Sequence, residues 1–302
     1  MRFEVLVNCG AGSVDGDAAD AQIADIERAM TAAGADARVR TFDPRHMADE
    51  VAAAWAETPD AVLVAGGDGT VGSAAGVAAG TEVVLGVLPL GTFNHFARDL
   101  GLPTALDDAV AAVAQGVPRA IDVAEVNGRV FVNNSVLGAY PAMVDIRDDL
   151  REQRGWGKVR AVPLAALHVL RRFPLHRLTI ATPDGTIRRR VRTPFVFIGN
   201  GSYDDGGGRV GDRSSLADGR LCVYVAHVVS RWGLVRTALH ALLRGAEDAN
   251  QLDRFEATEL EITARSGHLR VAVDGEVVTL ATPLRYRVRA GALHVIAPPE
   301  TG

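Results

Sequence analysis

Cysteine is nearly missing from this chain of 302 residues, and Cys9 and Cys222 lie too far apart for a disulfide framework or a zinc site. They read as reduced thiols. Aromatic residues make up only 5% of the sequence, which leaves few platforms on which nucleobases would stack. With no nucleic-acid motif present either, nucleic acid is excluded as a partner. Long apolar runs are also lacking: Ala61 to Ala65 and Val83 to Leu90 are broken by Gly, Pro or charge well short of the ~20 residues a membrane span needs. The first residues, Met1 to Val7, read as a strand and not as a signal peptide, because Glu4 interrupts the apolar run. A cytoplasmic protein is expected. His168, His176, His227, His240, His268 and His294 are scattered without metal-ligand spacing.

Lysine is reduced to Lys158, so arginine carries almost all of the basic charge. The net charge of −5 conceals a division near Pro118: residues 1–118 hold 6 basic and 17 acidic side chains, a balance of −11, and residues 119–302 hold 26 and 20, a balance of +6. Residues 151–192 alone contain 11 basic side chains against Glu152 and Asp184. That excess suits the anionic surface of a membrane, at which the protein would sit peripherally on the inner face, or it is a solvated arginine face.

What is present in quantity is apolar material, 48% of residues, enough for two cores in a chain of this length. Up to Pro118, strands and helices alternate: strand Phe3 to Val7, helix Ala18 to Ala33, strand Val39 to Phe42, helix Met47 to Ala56, buried strand Ala61 to Ala65, helix Val71 to Ala79, buried strand Val83 to Leu88, and a helix from about Phe93. This pattern predicts a doubly wound α/β nucleotide-binding domain over residues 1–118. Residues 119–302 change rhythm, with strand pairs across Asn127-Gly128 and Pro183-Asp184-Gly185 and further alternating runs at Leu221 to Ala226, Glu259 to Ala264, Leu269 to Val273, Val277 to Leu280 and Leu293 to Ala297. A mostly β sandwich is expected there. Two basic amphipathic stretches, Arg154 to Phe173 and Trp232 to Arg244, read as helices that pack on the sheet or rest on a membrane.

Gly66-Gly67-Asp68-Gly69-Thr70 stands where a buried strand hands over to a helix, a place where glycines let backbone approach phosphate and the helix start favours an anion. Asp68 would hold Mg²⁺ beside those phosphates, or it caps the helix. Pro89-Leu90-Gly91-Thr92-Phe93-Asn94 follows the next buried strand, at the same carboxyl edge of the sheet where ligands of open α/β folds bind. Read alone, Asp218-Gly219 and Asp274-Gly275-Glu276 are turns between strands.

Together, GGDGT and PLGTxN resemble the catalytic domain of the diacylglycerol and sphingosine kinase superfamily, which includes bacterial lipid kinases. The resemblance implies an ATP-dependent kinase of a lipid hydroxyl, with ATP and Mg²⁺ as cofactors and the lipid entering between the domains. It implies nucleotide contacts at Asn8, Gly10, Gly12, Thr41, Gly66, Gly67, Asp68, Gly69, Thr70, Gly91, Thr92 and Asn94. Cys9 stands where the family has proline, and His95 where it commonly has aspartate. The segment Gly199-Asn200-Gly201, Gly206 to Gly208 and Asp218-Gly219 is similar to a family loop implying a structural Mg²⁺ on Asp218 and the carbonyls of Ser215 and Arg220. Asp274-Gly275-Glu276 matches the family's DGE motif, which makes Glu276 the general base, assisted by Asp274. A kinase of a soluble polyol or nucleotide, and a non-catalytic nucleotide-binding membrane sensor, stay open as alternatives, as do the identity of the lipid and the oligomeric state, a homodimer included.

Overall fold

The computed structural model describes residues 1–8, 16–141, 175–203, 213, 215–227, 233 and 252–299. Cys9, Gly10, Gly12, Gly206 to Gly208 and the two basic amphipathic stretches therefore fall outside the described residues, apart from Gly233. The chain forms two compact units: Met1–Val123 with Arg289–Gly302, and Ala124–Val288.

Unit 1 contains β1 (Arg2–Val7), α1 (Gly16–Ala32), β2 (Asp36–Thr41), α2 (Met47–Ala56), β3 (Ala61–Gly66), α3 (Asp68–Ala78), β4 (Val84–Pro89), α4 (His95–Asp99), α5 (Leu106–Ala114) and most of β5 (Val117–Val126). Strands β2, β1, β3 and β4 pair in that order, all parallel. β1 and β3 are buried along nearly their whole length, as expected of parallel strands covered on both faces. Ile26, Ala29 and Met30 of α1, Met47, Val51 and Ala54 of α2, and Val71, Ala74 and Ala75 of α3 complete the core. The helix expected from about Phe93 begins at His95, because Asn94 adopts a left-handed conformation with φ 50°.

Unit 2 continues with β6 (Arg129–Phe131), β7 (Asn134–Gly138), β8 (His176–Ala181), β9 (Arg188–Thr193), β10 (Phe195–Asn200), β11 (Leu221–Ala226), β12 (Leu252–Ala257), β13 (Glu259–Ala264), β14 (His268–Val273), β15 (Glu276–Ala281) and β16 (Leu284–Ala297). One sheet runs β12-β11-β10-β7-β14-β15, and in the other the first half of β16 pairs with β13, then β8, then β9. The strands of unit 2 pair antiparallel. Leu178, Ile180, Leu260, Ile262 and Tyr286 from one sheet meet Leu137, Val196, Ile198, Val223 and Val271 from the other in a single apolar core. This is the sandwich that the alternating pattern predicts.

The strand that departs most from the sequence reading is β16. Only Leu293 to Ala297 reads as a strand, yet β16 has 14 residues, and its end pairs parallel with β4 through His294↔Val84 and Val295↔Leu85. Residues 289–302 therefore return to unit 1, whereas the reading keeps all of 119–302 together. The reason is that β4 carries a free edge with buried neighbours, which an apolar strand fills by hydrogen bonding. Between them, α5, β7, β10 and β12 are elements that the sequence patterns did not single out.

Candidate active site

The carboxyl ends of β1 to β4 gather the first group of residues. Val7 is level with Thr41 and with Ala65, and Gly66 with Pro89, so Asn8, Thr41, the 66–70 loop and the 90–94 loop all leave the sheet on one edge. The Asn8 Nδ2 amide donates to Thr70 Oγ1 at 2.7 Å, tying the first loop to the start of α3. Asn94 closes the second loop on itself, accepting the Gly91 N–H at 2.9 Å and donating to the Gly91 carbonyl at 2.8 Å. The two glycine loops touch. A Cβ added to Gly91 would lie 2.6 Å from Gly67 Cα, so only glycine allows this approach.

Gly67 is the N-cap of α3, and the first helical bond runs from the Val71 N–H to the Gly67 carbonyl. The N–H groups of Asp68, Gly69 and Thr70 thus have no partner within the helix, the arrangement that suits an anion. Asp68 makes no capping bond, which removes the capping role, and its half-buried carboxylate has no hydrogen-bond or ion-pair partner among the described residues. It is available to a cation. Thr92 is exposed beside these loops, and exposed Phe93 stacks on His95 at 5.7 Å while Arg98 Nη2 donates to His95 Nδ1 at 2.9 Å.

In unit 2, Asp274 sits in the turn between β14 and β15, with φ 46°. Its carboxylate accepts the backbone N–H groups of Val132 at 2.9 Å, Asn133 at 2.9 Å and Asn134 at 3.0 Å, fastening the β6–β7 loop. Burial pushes its carboxyl above the usual range, against the pull of those three bonds and the Arg213 charge. Glu276 opens β15 with an exposed side chain, and Arg129 Nη2 on β6 donates to its Oε2 at 2.6 Å. Asp274 and the Arg129–Glu276 pair therefore join the same two hairpins.

Asp218 Oδ2 accepts the Ser202 N–H at 2.9 Å, while its Oδ1 is buried and without a partner among the described residues. The Ser215 carbonyl converges on the same spot, 2.8 Å from where a Gly201 Cβ would stand. The Arg220 carbonyl already accepts the Gly201 N–H at 2.8 Å, and its guanidinium donates to Glu256 at 2.8 Å. Among the described residues no three His, Cys, Asp or Glu side chains cluster as a metal site, so a cation here would rest on one carboxylate and carbonyls. The orphaned, buried Asp218 oxygen fits such an ion.

The sequence reading missed Arg129 and Arg213. Arg213 Nη1 donates to the carbonyls of Val132 at 2.6 Å and Asn200 at 3.1 Å, bracing the loop that Asp274 holds. Arg129 lies 147 positions from its partner, and only the Asn127-Gly128 turn beside it hints at its place.

A parallel α/β unit with two touching glycine loops and a β sandwich carrying a DGE turn define a protein of the lipid-kinase class. The profile of the diacylglycerol kinase catalytic domain matches residues 2–126, and that of the YegS C-terminal NAD kinase β-sandwich-like domain matches residues 140–297. A diacylglycerol kinase of Mycobacterium tuberculosis is 32% identical over 265 residues, covering 85% of this chain and 82% of that protein. A protein of Pectobacterium atrosepticum named "Probable lipid kinase YegS-like" is 31% identical over 245 residues, 80% of this chain and 79% of its own length. A solved structure described as a diacylglycerol kinase from Bacillus anthracis matches at 24% identity with a TM-score of 0.73 over 99% of this chain and 97% of the other, a likeness of fold. The chain belongs to the family of diacylglycerol kinases and YegS-like lipid kinases. Among the described residues no helix is long and apolar enough to cross a membrane.

Proposed function

We propose that the protein transfers the γ-phosphoryl group of ATP to a hydroxyl of a diacylglycerol-like lipid. The observation that carries this reading is the contact of the Gly67 and Gly91 loops beside an uncapped, unpartnered Asp68 at the start of α3. Two glycine loops with free N–H groups suit a chain of phosphates, and most of the rate of phosphoryl transfer comes from holding and neutralising such a chain. Asn8, Thr41, the glycines of both loops, Thr70, Thr92 and Asn94 shape that cradle, and Gly10 and Gly12 are assigned to it by sequence.

Asp68 is the residue to hold a Mg²⁺ on the phosphates, and Asp218 with the Ser215 and Arg220 carbonyls would hold a second, structural one. When bound, the ion on Asp68 supplies charge neutralisation as the phosphoryl group moves. Glu276 takes the proton of the acceptor hydroxyl: one of its oxygens is engaged by Arg129, and the other has no partner among the described residues. Asp274 acts as a positioning residue, because its carboxylate is spent on the backbone of residues 132–134.

The test is transfer of labelled γ-phosphate from ATP–Mg²⁺ to a panel of lipids in mixed micelles, with a no-lipid control. Label in one lipid class supports the reading and names the substrate. Turnover that ignores lipid would instead favour a kinase of a soluble polyol or nucleotide, and ATP binding without transfer a sensor. Glu276→Gln should retain ATP affinity and lose transfer; an active Glu276→Gln enzyme removes Glu276 as the base.

A further inference from the structure

Strands β8 and β9 place four arginines on one face. Their register sets Arg177 opposite Arg192, Thr179 opposite Arg190 and Ala181 opposite Arg188. Leu178, Ile180 and Val191 point the other way, into the sandwich core. Because side chains alternate along a strand, Arg177, Arg188, Arg190 and Arg192 all emerge on the outer face, and all four are exposed. Along β9 they extend over about 14 Å.

These four guanidinium groups have no hydrogen-bond or ion-pair partner among the described residues. Two nearby acids are already engaged. Glu261 on β13 pairs with Arg285 at 3.3 Å, and Asp184 in the β8–β9 turn is bonded by Thr182 and Thr186. Arg189, on the inner side, differs: it pairs with Asp253 at 2.9 Å and lies over the Phe255 ring, stapling β9 to β12. Arg189 thus serves the fold, while the four outward arginines bond to no described residue.

Like charges directly opposite each other weaken a sheet, and Arg177 faces Arg192. Charges on an edge strand do guard against edge pairing, but either sign and a mixture of both would serve that purpose. A single-sign ladder to which no acid among the described residues is paired calls for an anion from outside. The face has no aromatic side chain on which a base could stack, which disfavours nucleic acid. We propose that the β8–β9 face docks the protein on an anionic lipid bilayer, a surface of closely spaced phosphates. This rests on the lipid-kinase reading for the choice of a bilayer as partner.

The test is sedimentation of the full chain with vesicles of phosphatidylcholine, with and without phosphatidylglycerol, at low and high salt. Binding should require phosphatidylglycerol and fade as salt screens the charges. Each arginine near the surface is worth about a fivefold factor in partitioning, so replacing all four, Arg177, Arg188, Arg190 and Arg192, by Gln should weaken binding by roughly several hundredfold. The same four changed to Lys should bind nearly as wild type. Unfolding curves check that the Gln variant is folded, and its transfer to a short-chain diacylglycerol in neutral micelles should persist. No wild-type binding to anionic vesicles overturns the proposal whatever the kinase assay shows, as does a Gln variant that binds normally or merely aggregates. Stronger capture by duplex DNA or RNA than by vesicles also overturns it. Vesicle binding without phosphoryl transfer to any lipid leaves the docking face standing and removes the proposed reaction.

Discussion

Asp68 in unit 1 and Asp274 in unit 2 are both aspartates followed by glycine, and their surroundings treat them in opposite ways. Asp68 begins a helix, half-buried, with its carboxylate bonded to no described residue. Asp274 is also half-buried, but its carboxylate faces inward and takes three backbone N–H bonds from one loop. The same dipeptide thus gives an unpartnered carboxylate in one unit and a brace for a loop in the other. Removing the first should damage chemistry and spare the fold, and removing the second should damage the fold first.

The largest effect expected is that of Asp274→Ala. It strips the Val132, Asn133 and Asn134 N–H groups of their acceptor, at roughly 1–3 kcal/mol for each group left buried and unpaired, so a total loss of about 3–5 kcal/mol is expected. Urea unfolding would measure it, and an unchanged midpoint would end the contrast with Asp68. Asp68→Ala comes next. It should leave the midpoint within ~0.5 kcal/mol while phosphoryl transfer falls on the order of a hundredfold to a thousandfold, read from kcat at saturating ATP.

Gly91→Ala sharpens the comparison inside unit 1, because its Cβ would collide with Gly67 Cα. Parting the two loops should raise the KM for ATP about tenfold, with a loss of stability of roughly 1–2 kcal/mol. The smallest effect is one of pH. Burial raises the Asp274 carboxyl above its unfolded value, so its contribution to stability is complete below the unfolded pKa and declines as pH rises through the folded one. Asp274→Asn cannot titrate and should remove that decline, which unfolding midpoints taken across mildly acidic pH would record.

Much of this was legible in local pattern. Leu221 to Ala226 and Glu259 to Ala264 are strands with those very limits, and Asn127-Gly128 turns β5 into β6, because alternation and turn chemistry act over a few residues. Both glycine loops were legible for the same reason. What escaped depends on distant register. The arginines of Leu284 to Ala292 disguise half of β16, and nothing beside Leu293 announces that β4 will be its partner. Nor does the word DGE reveal that its aspartate will be buried on the loop of residues 132–134, or that Glu276 will meet Arg129.

The return of β16 to the edge of β4 has a consequence for synthesis. Emerging from the ribosome, residues 1–123 present β4 with one side unpaired, and the strand that closes it is translated only after all of residues 124–288. The unit made first is therefore the one finished last, and during that interval its open edge is the part of the nascent chain most exposed to mispairing.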